Sequence, residues 1–239
     1  MFKGFSPRTI DFMWELRLNN NRPWFTEHKE EFHREFQLPM KELGAAVFAD
    51  VKETCGDRGF IHKVSRIYKD ARRVRDGEPY RDHLWFSIEK PSDEWTSTPV
   101  FWFELSPEKW SCGLGFYQAK PLTMAKFRAR IDKAPKQFET LIAPLATQDD
   151  FVLTGAEYAR KKQAPTTKTA DWYNKKSFSL VCEKQNGAEL FSPEFADVLV
   201  GRFAFLMPLY DYFITLDSDP EPEIYGKAKP TLQKDTDIS

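Results

Sequence analysis

Between residues 62 and 83 the chain carries seven lysines and arginines (Lys63, Arg66, Lys69, Arg72, Arg73, Arg75 and Arg81) against four acids (Asp70, Asp76, Glu78 and Asp82). Five of the seven are arginines, whose rigid fork of donors suits a phosphate or carboxylate better than a hydrated ammonium does. If Arg66, Tyr68 and Asp70 lie on a strand, its two-residue alternation puts them on one face, with Arg72 beginning the turn that follows. Arg81 returns on the next segment. Such a set could hold a small anion, and Asp70, Tyr68 or His83 could then move a proton on the bound molecule. The same side chains could instead neutralise one another, with Asp70 and Asp82 matched by neighbouring arginines, and both readings stay open on the sequence alone.

Other reactive residue types give weaker patterns. His28 and His33 are five residues apart and do not share a helix face as metal ligands would, and no metal or cofactor is expected. His62 and His83 are close enough to neutrality in pKa for acid–base work, but no pattern joins them. Cys112 reads as packing in an aromatic strand, and Cys55, Cys112 and Cys182 form no CxxC pair. Gly113-Leu114-Gly115 lacks the third glycine of a dinucleotide fingerprint and reads as a bend or bulge in a strand. Patterns for a serine hydrolase, a zinc protease or a P-loop NTPase are absent. Two further basic zones, Lys120 to Lys136 and Arg160 to Lys176, each carry five net positive charges, the second with Trp172 and Tyr173 beside it. A nucleic-acid surface there is the lesser reading, because no recognised binding motif accompanies them.

These residues need a scaffold, and the chain supplies a predicted α+β one. Thirty-five basic and 36 acidic side chains nearly cancel, so a charged partner must be recognised locally. An apolar content of 41% over 239 residues supports a sizeable core. Ser6-Pro7 opens a predicted helix with Ile10, Met13, Trp14 and Leu18 near one face. Pro23 restarts a second helix, and Pro39 is expected to interrupt before a third reaches Cys55. From residue 60 the period changes to two: Lys63 to Tyr68, His83 to Lys90, Pro99 to Leu105 and Lys109 to Tyr117 predict a mainly antiparallel sheet. Helices follow from Pro121 and Pro135, residues 151–176 read as a long loop, Phe178 to Glu183 as a further strand, and Ser192 opens a C-terminal helix. The expected organisation is one domain over 1–216 with a disordered acidic tail over 217–239. The odd, widely spaced cysteines fit a reducing cytoplasm, and no apolar run approaches the roughly 20 residues of a spanning helix, so a cytoplasmic protein off the membrane is expected.

The chain resembles a known family through particular residues. Gly4-Phe5, Trp24-Phe25 with His28-Lys29, Arg66-Ile67-Tyr68-Lys69-Asp70 with Arg72, Pro79-Tyr80-Arg81, Gly113-Leu114-Gly115-Phe116-Tyr117, Arg128 and Pro208-Leu209-Tyr210-Asp211-Tyr212-Phe213 together look like the bacterial and fungal domain-of-unknown-function 2461 family. The resemblance runs from residue 1 to about 215. It implies one cytosolic α+β domain, transfers no catalytic residue, and adds Arg128 to the candidate set of Arg66, Tyr68, Asp70, Arg72 and Arg81. Two departures stand out: relatives usually carry a lysine where Arg81 stands, and a different, proline-rich run where this chain has KKQAPTTKTADWY. The function these readings favour is the binding of a small phosphate- or carboxylate-bearing ligand. An enzyme using the same pocket and a nucleic-acid or protein interaction surface are the alternatives.

Overall fold

The computed structural model describes residues 1–70, 72 and 77–223. Arg73, Arg75 and Asp76 of the cationic stretch lie outside the described residues, as does the part of the expected 217–239 tail from 224 onward.

The first quarter is helical, built on capping chemistry. Ser6 accepts from the Thr9 amide and Pro7 occupies the first turn of α1 (Pro7–Leu18). Its buried side is Phe12, Met13 and Leu16, whereas Trp14 and Leu18 are exposed, so the expected apolar face is rotated. Trp14 is covered instead by the Arg17 guanidinium, 4.7 Å from its ring centroid. Asn21 caps α2 (Arg22–Glu27) by accepting from the Trp24 amide. A helical turn, Lys29–Glu31, then enters a π-helical segment, Phe32–Gln37, which runs without a break into α3 (Leu38–Cys55). Pro39 does not interrupt the helix as expected. It has no N–H to give and its ring crowds the preceding turn. The chain widens into i−5 bonding instead, with the Leu38 amide donating to the His33 carbonyl.

The sheet contains β1 (Ile61–Val64), β2 (Leu84–Glu89), β3 (Pro99–Leu105), β4 (Lys109–Phe116), β5 (Val152–Thr154) and β6 (Ser179–Gln185), arranged β1-β2-β3-β4-β6-β5 with every pair antiparallel. β5 falls within the stretch expected to be loop; it is three residues long and sits at the sheet edge, too short for periodicity to reveal it. After β4 come α4 (Pro121–Lys133) and α5 (Pro135–Ile142), and α6 (Phe195–Ile214) closes the fold. This is an α+β protein.

Strand alternation divides the sheet into a core face and an open face. Phe86, Ile88, Phe101, Phe103, Trp110, Cys112 and Leu180 are buried on the first, under α3 and α6, in one continuous core. Trp85, Trp102 and Glu104 stand on the second and are only half buried. By length and composition alone, Phe195–Ser218 is long and apolar enough to cross a membrane, with mean hydropathy 1.3. In the fold, its Leu199, Phe203, Leu206, Tyr210 and Phe213 are spent on the core. The folded chain continues past 216: Lys126 Nζ donates to the Asp217 carbonyl at 2.7 Å, and Arg130 Nε meets the Asp219 carboxylate at 2.6 Å.

Candidate functional site

The cationic stretch leaves β1 at Val64 but keeps pairing with the segment that leads into β2. Ser65 N–H donates to Trp85 O, Arg81 N–H to Ile67 O and Lys69 N–H to Pro79 O, and Tyr68 bridges Tyr80. Arg66, Tyr68 and Asp70 are therefore not on a regular strand, yet the alternation survives: Ile67 is buried while Arg66 and Tyr68 are exposed. Because residue 68 pairs with residue 80, Arg81 must face the opposite side from Tyr68. That single parity separates the predicted set.

Tyr80 is locked from two directions. Asn20, in the turn after α1, uses its amide to donate to Tyr80 O at 2.9 Å and to accept from Tyr80 N–H at 3.0 Å. Its ring stacks on Phe25 of α2 with centroids 4.1 Å apart, and Tyr68 packs against both. Three motifs distant in sequence, around Phe25, Tyr68 and Tyr80, thus meet as one aromatic ledge.

Beside this ledge lies a groove of about 310 Å³ between the π-helical segment and residues 64–68. Lys29, His33, Lys41 and Arg66 line it together with Tyr68, and its lining contains no carboxylate. Among the described residues, Lys29, Lys41 and Arg66 have no ion-pair partner. Glu31 and Glu35 nearby are engaged elsewhere: Arg8 Nε binds Glu31 at 2.6 Å, while Glu35 accepts from Ser6 and Arg34. His33 is set by its Nδ1 contact with the Gln37 amide oxygen at 2.6 Å, an i to i+4 pair carried by the π-helical segment. The result is a small, purely cationic basin with an aromatic edge, suited to hold phosphate or carboxylate oxygens.

The rest of the predicted set goes elsewhere. Asp70 and Arg72 bind each other at 3.0 Å, with Arg72 nearly fully exposed, so they form a local surface pair. Arg81 lines a separate cleft on the open face of the sheet. Arg128 is buried on α4 with its guanidinium 5.2 Å from the centre of the Tyr158 ring, and it lines neither cavity. His83 Nδ1 faces the Asp82 carboxylate at 2.9 Å and does not line the groove. One pocket holding Arg66, Tyr68, Asp70, Arg72, Arg81 and Arg128 does not form.

The basic zones are also largely committed. Lys126 and Arg130 hold the end of the folded chain, Lys161 and Lys175 share Glu157, and Lys176 lies over Tyr158. Trp172 and Tyr173 are buried, with the Tyr173 hydroxyl bonded to Asp132, so neither offers a face for a base to stack on. Among the described residues, no group of three or more His, Cys, Asp or Glu side chains is placed to hold a metal ion. Gly113 and Gly115 lie in regular strand, where a Cβ at 115 would stand 2.6 Å from the Phe178 carbonyl oxygen; close strand approach, and not a bulge, explains them.

Lys29, His33 and Lys41 are groove residues that the reading of the cationic stretch alone does not reach. His28-Lys29 appears among the motifs of the resemblance, but only the π-helical turn brings residues 33 and 41 to the same basin.

The fold and groove define an α+β domain with a cationic, aromatic-edged pocket and, among the described residues, no recognised catalytic constellation. The profile of a family described as "Conserved hypothetical protein (DUF2461)" matches residues 8–212, and the chain belongs to that family. No curated protein matches it.

Proposed function

We propose that this protein binds a small phosphate- or carboxylate-bearing molecule in the groove formed by Lys29, His33, Lys41, Arg66 and Tyr68. The observation that carries the reading is the concentration of three cations, without an ion-pair partner among the described residues, around one cavity whose lining holds no acid. Like charges gathered without a counter-charge repel one another, and an anion relieves that repulsion while gaining charge-assisted hydrogen bonds. Arg66 offers two parallel donors to one oxyanion, and Lys29 and Lys41 act as point charges on either side. Tyr68 supplies a ring edge and a hydroxyl for the uncharged part of the ligand. Two of the three proton-transfer candidates, Asp70 and His83, are directed at Arg72 and Asp82 and only Tyr68 reaches the groove, which favours binding over catalysis.

Calorimetric titration with inorganic pyrophosphate and glycerol phosphate tests the reading, with glycerol as the uncharged control. Saturable binding that weakens about tenfold or more in Arg66→Gln and in Lys41→Gln is expected, equivalent to about 1.4 kcal/mol each. Both residues are exposed, so these variants should fold normally. Absence of saturation, or binding indifferent to both substitutions, would remove the groove as an anion site.

A further inference from the structure

The cleft that receives Arg81 is built from different chemistry and lies on the opposite side of the sheet. It has a volume of about 540 Å³, within the range of roughly 300–1,000 Å³ usual for small-molecule sites. Trp85 of β2 and Trp102 of β3 stand on adjacent strands, and Trp95 and Tyr117 form the rim with ring centroids 5.3 Å apart. A bare glycine lets Trp102 settle against the sheet: a Cβ at Gly113 would lie 3.2 Å from its Cζ2 atom. Among the described residues, Trp85 and Trp102 stack on no other ring, and no cation covers them. Two indoles therefore present uncovered surface to a sizeable cavity.

The charges in this cleft divide cleanly. Glu89 is satisfied by Lys63 across the strand pair and by the Ser87 hydroxyl at 3.0 Å. Arg81 and Glu104 have no ion-pair partner among the described residues, and Arg81 Nε is buried with no acceptor. A purely anionic guest would satisfy Arg81 and face Glu104 unanswered, whereas a purely cationic one would do the reverse. An apolar guest would strip water from both without compensation. The arrangement matches a molecule that carries both signs, with its positive end diffuse enough to lie against indole. Tryptophan is the strongest aromatic partner for such cations, and alkylated ammonium groups are the ligands that aromatic enclosures select.

We propose that this cleft binds a small zwitterion with an N-alkylated ammonium, held by Trp85, Trp102 and Glu104, and a carboxylate held by Arg81. The site is independent of the groove around Arg66: Tyr68 and Arg81 face opposite sides, so either site can fail without the other.

Tryptophan fluorescence titrations of the full chain would use three probes: glycine betaine, choline, which lacks the carboxylate, and the tert-butyl isostere of betaine, which lacks the positive charge. Saturable quenching by betaine is expected, with the isostere and choline each at least about tenfold weaker. Trp102→Leu should abolish the preference for betaine over its isostere, and Glu104→Gln should reduce it. Arg81→Met should bring choline level with betaine. Circular dichroism melts establish that each variant is folded, and Glu104→Gln, a half-buried conservative change, keeps the test open if Trp102→Leu unfolds. No saturation by betaine, an isostere that binds as well as betaine, or quenching unchanged in folded Arg81→Met and Glu104→Gln would each overturn the assignment.

Discussion

Thr9 on the first helix donates its hydroxyl to the main-chain carbonyl of Glu35 in the π-helical turn, at 2.6 Å. In an α-helix that carbonyl would receive the amide of residue 39, which is proline and has none. The bond is fully buried at Thr9 and ties α1 to the segment that carries His33 and Gln37 into the cationic groove. Thr9→Val keeps the shape and removes the donor, leaving a carbonyl without its partner, so a loss of about 1–3 kcal/mol is expected in urea unfolding. Thr9→Ser should retain most of the stability, because it retains the hydroxyl.

His62 gives the fold an acid-sensitive point. Its ring packs against Phe48 and Phe86, its Nε2 is buried with no partner, and burial lowers its pKa from the ordinary 6.5. The folded state therefore resists the proton that the unfolded chain accepts. This contribution to stability is complete above the unfolded pKa and declines as the pH falls through about 6.5 toward the lower folded value. Urea midpoints measured between about pH 7.5 and pH 5 should fall for the native chain and fall less for His62→Leu.

The same histidine explains a glycine. Gly44 of α3 faces His62 and Phe86, and a Cβ there would lie 3.2 Å from Phe86 Cγ and collide with the imidazole. Gly44→Ala gains helix propensity but overpacks the contact between α3 and the sheet, so a net loss of about 1–3 kcal/mol is expected by thermal or urea unfolding. A Gly44→Ala, His62→Ala double variant should recover part of that loss, since the two side chains compete for one space.

Much of the scaffold was readable because it rests on local rules. Strands β2, β3 and β4 follow from alternation in LWFSIE, PVFWFEL and KWSCGLGF, and α1 follows from Ser6-Pro7. The predicted site dispersed because its geometry depends on register. Arg66 and Arg81 are alike in sequence, yet the pairing of Tyr68 with Tyr80 sends them to opposite faces. The indole cleft was half visible as Trp102 and Glu104 alternating with Phe101, Phe103 and Leu105, but which face stayed open depended on where α3 and α6 docked. The Lys29–His33–Lys41 basin depended on a π-helical turn, whose extra residue erases the periodicity by which a helix face is read.

The cysteines should sort themselves by burial. Cys112 and Cys182 face each other across β4 and β6 and are fully buried, whereas Cys55 is half buried at the end of α3, its pKa raised by desolvation. A thiol-reactive alkylating agent should modify Cys55 alone in the native protein, and slowly, because the thiolate is the attacking form. Mass spectrometry of peptides should find Cys112 and Cys182 modified only after denaturation; labelling of either at the rate of Cys55 would show that the sheet opens locally.

Asp82 controls how the two sites are held apart. Its carboxylate meets His83 Nδ1 at 2.9 Å and Arg17 Nε at 2.5 Å, and Arg17 also pairs with Glu108 in the turn between β3 and β4. The segment so anchored carries Tyr80 into the ledge beside the groove and Arg81 into the indole cleft. The His83 hydrogen bond and then the Arg17 guanidinium hold the Asp82 pKa well below its ordinary 3.8. A depressed carboxylate pKa stabilises the fold above the unfolded value and loses that contribution as pH falls through the folded one. Asp82→Asn should therefore cost about 1 kcal/mol near neutral pH, a figure discounted for partial solvent screening, and the gap to the native chain should begin to narrow only as the pH falls below the ordinary 3.8. Because the anchor serves both sides of one strand segment, the same variant should weaken pyrophosphate binding in the groove and betaine binding in the cleft together. Arg66→Gln should weaken only the first and Arg81→Met only the second.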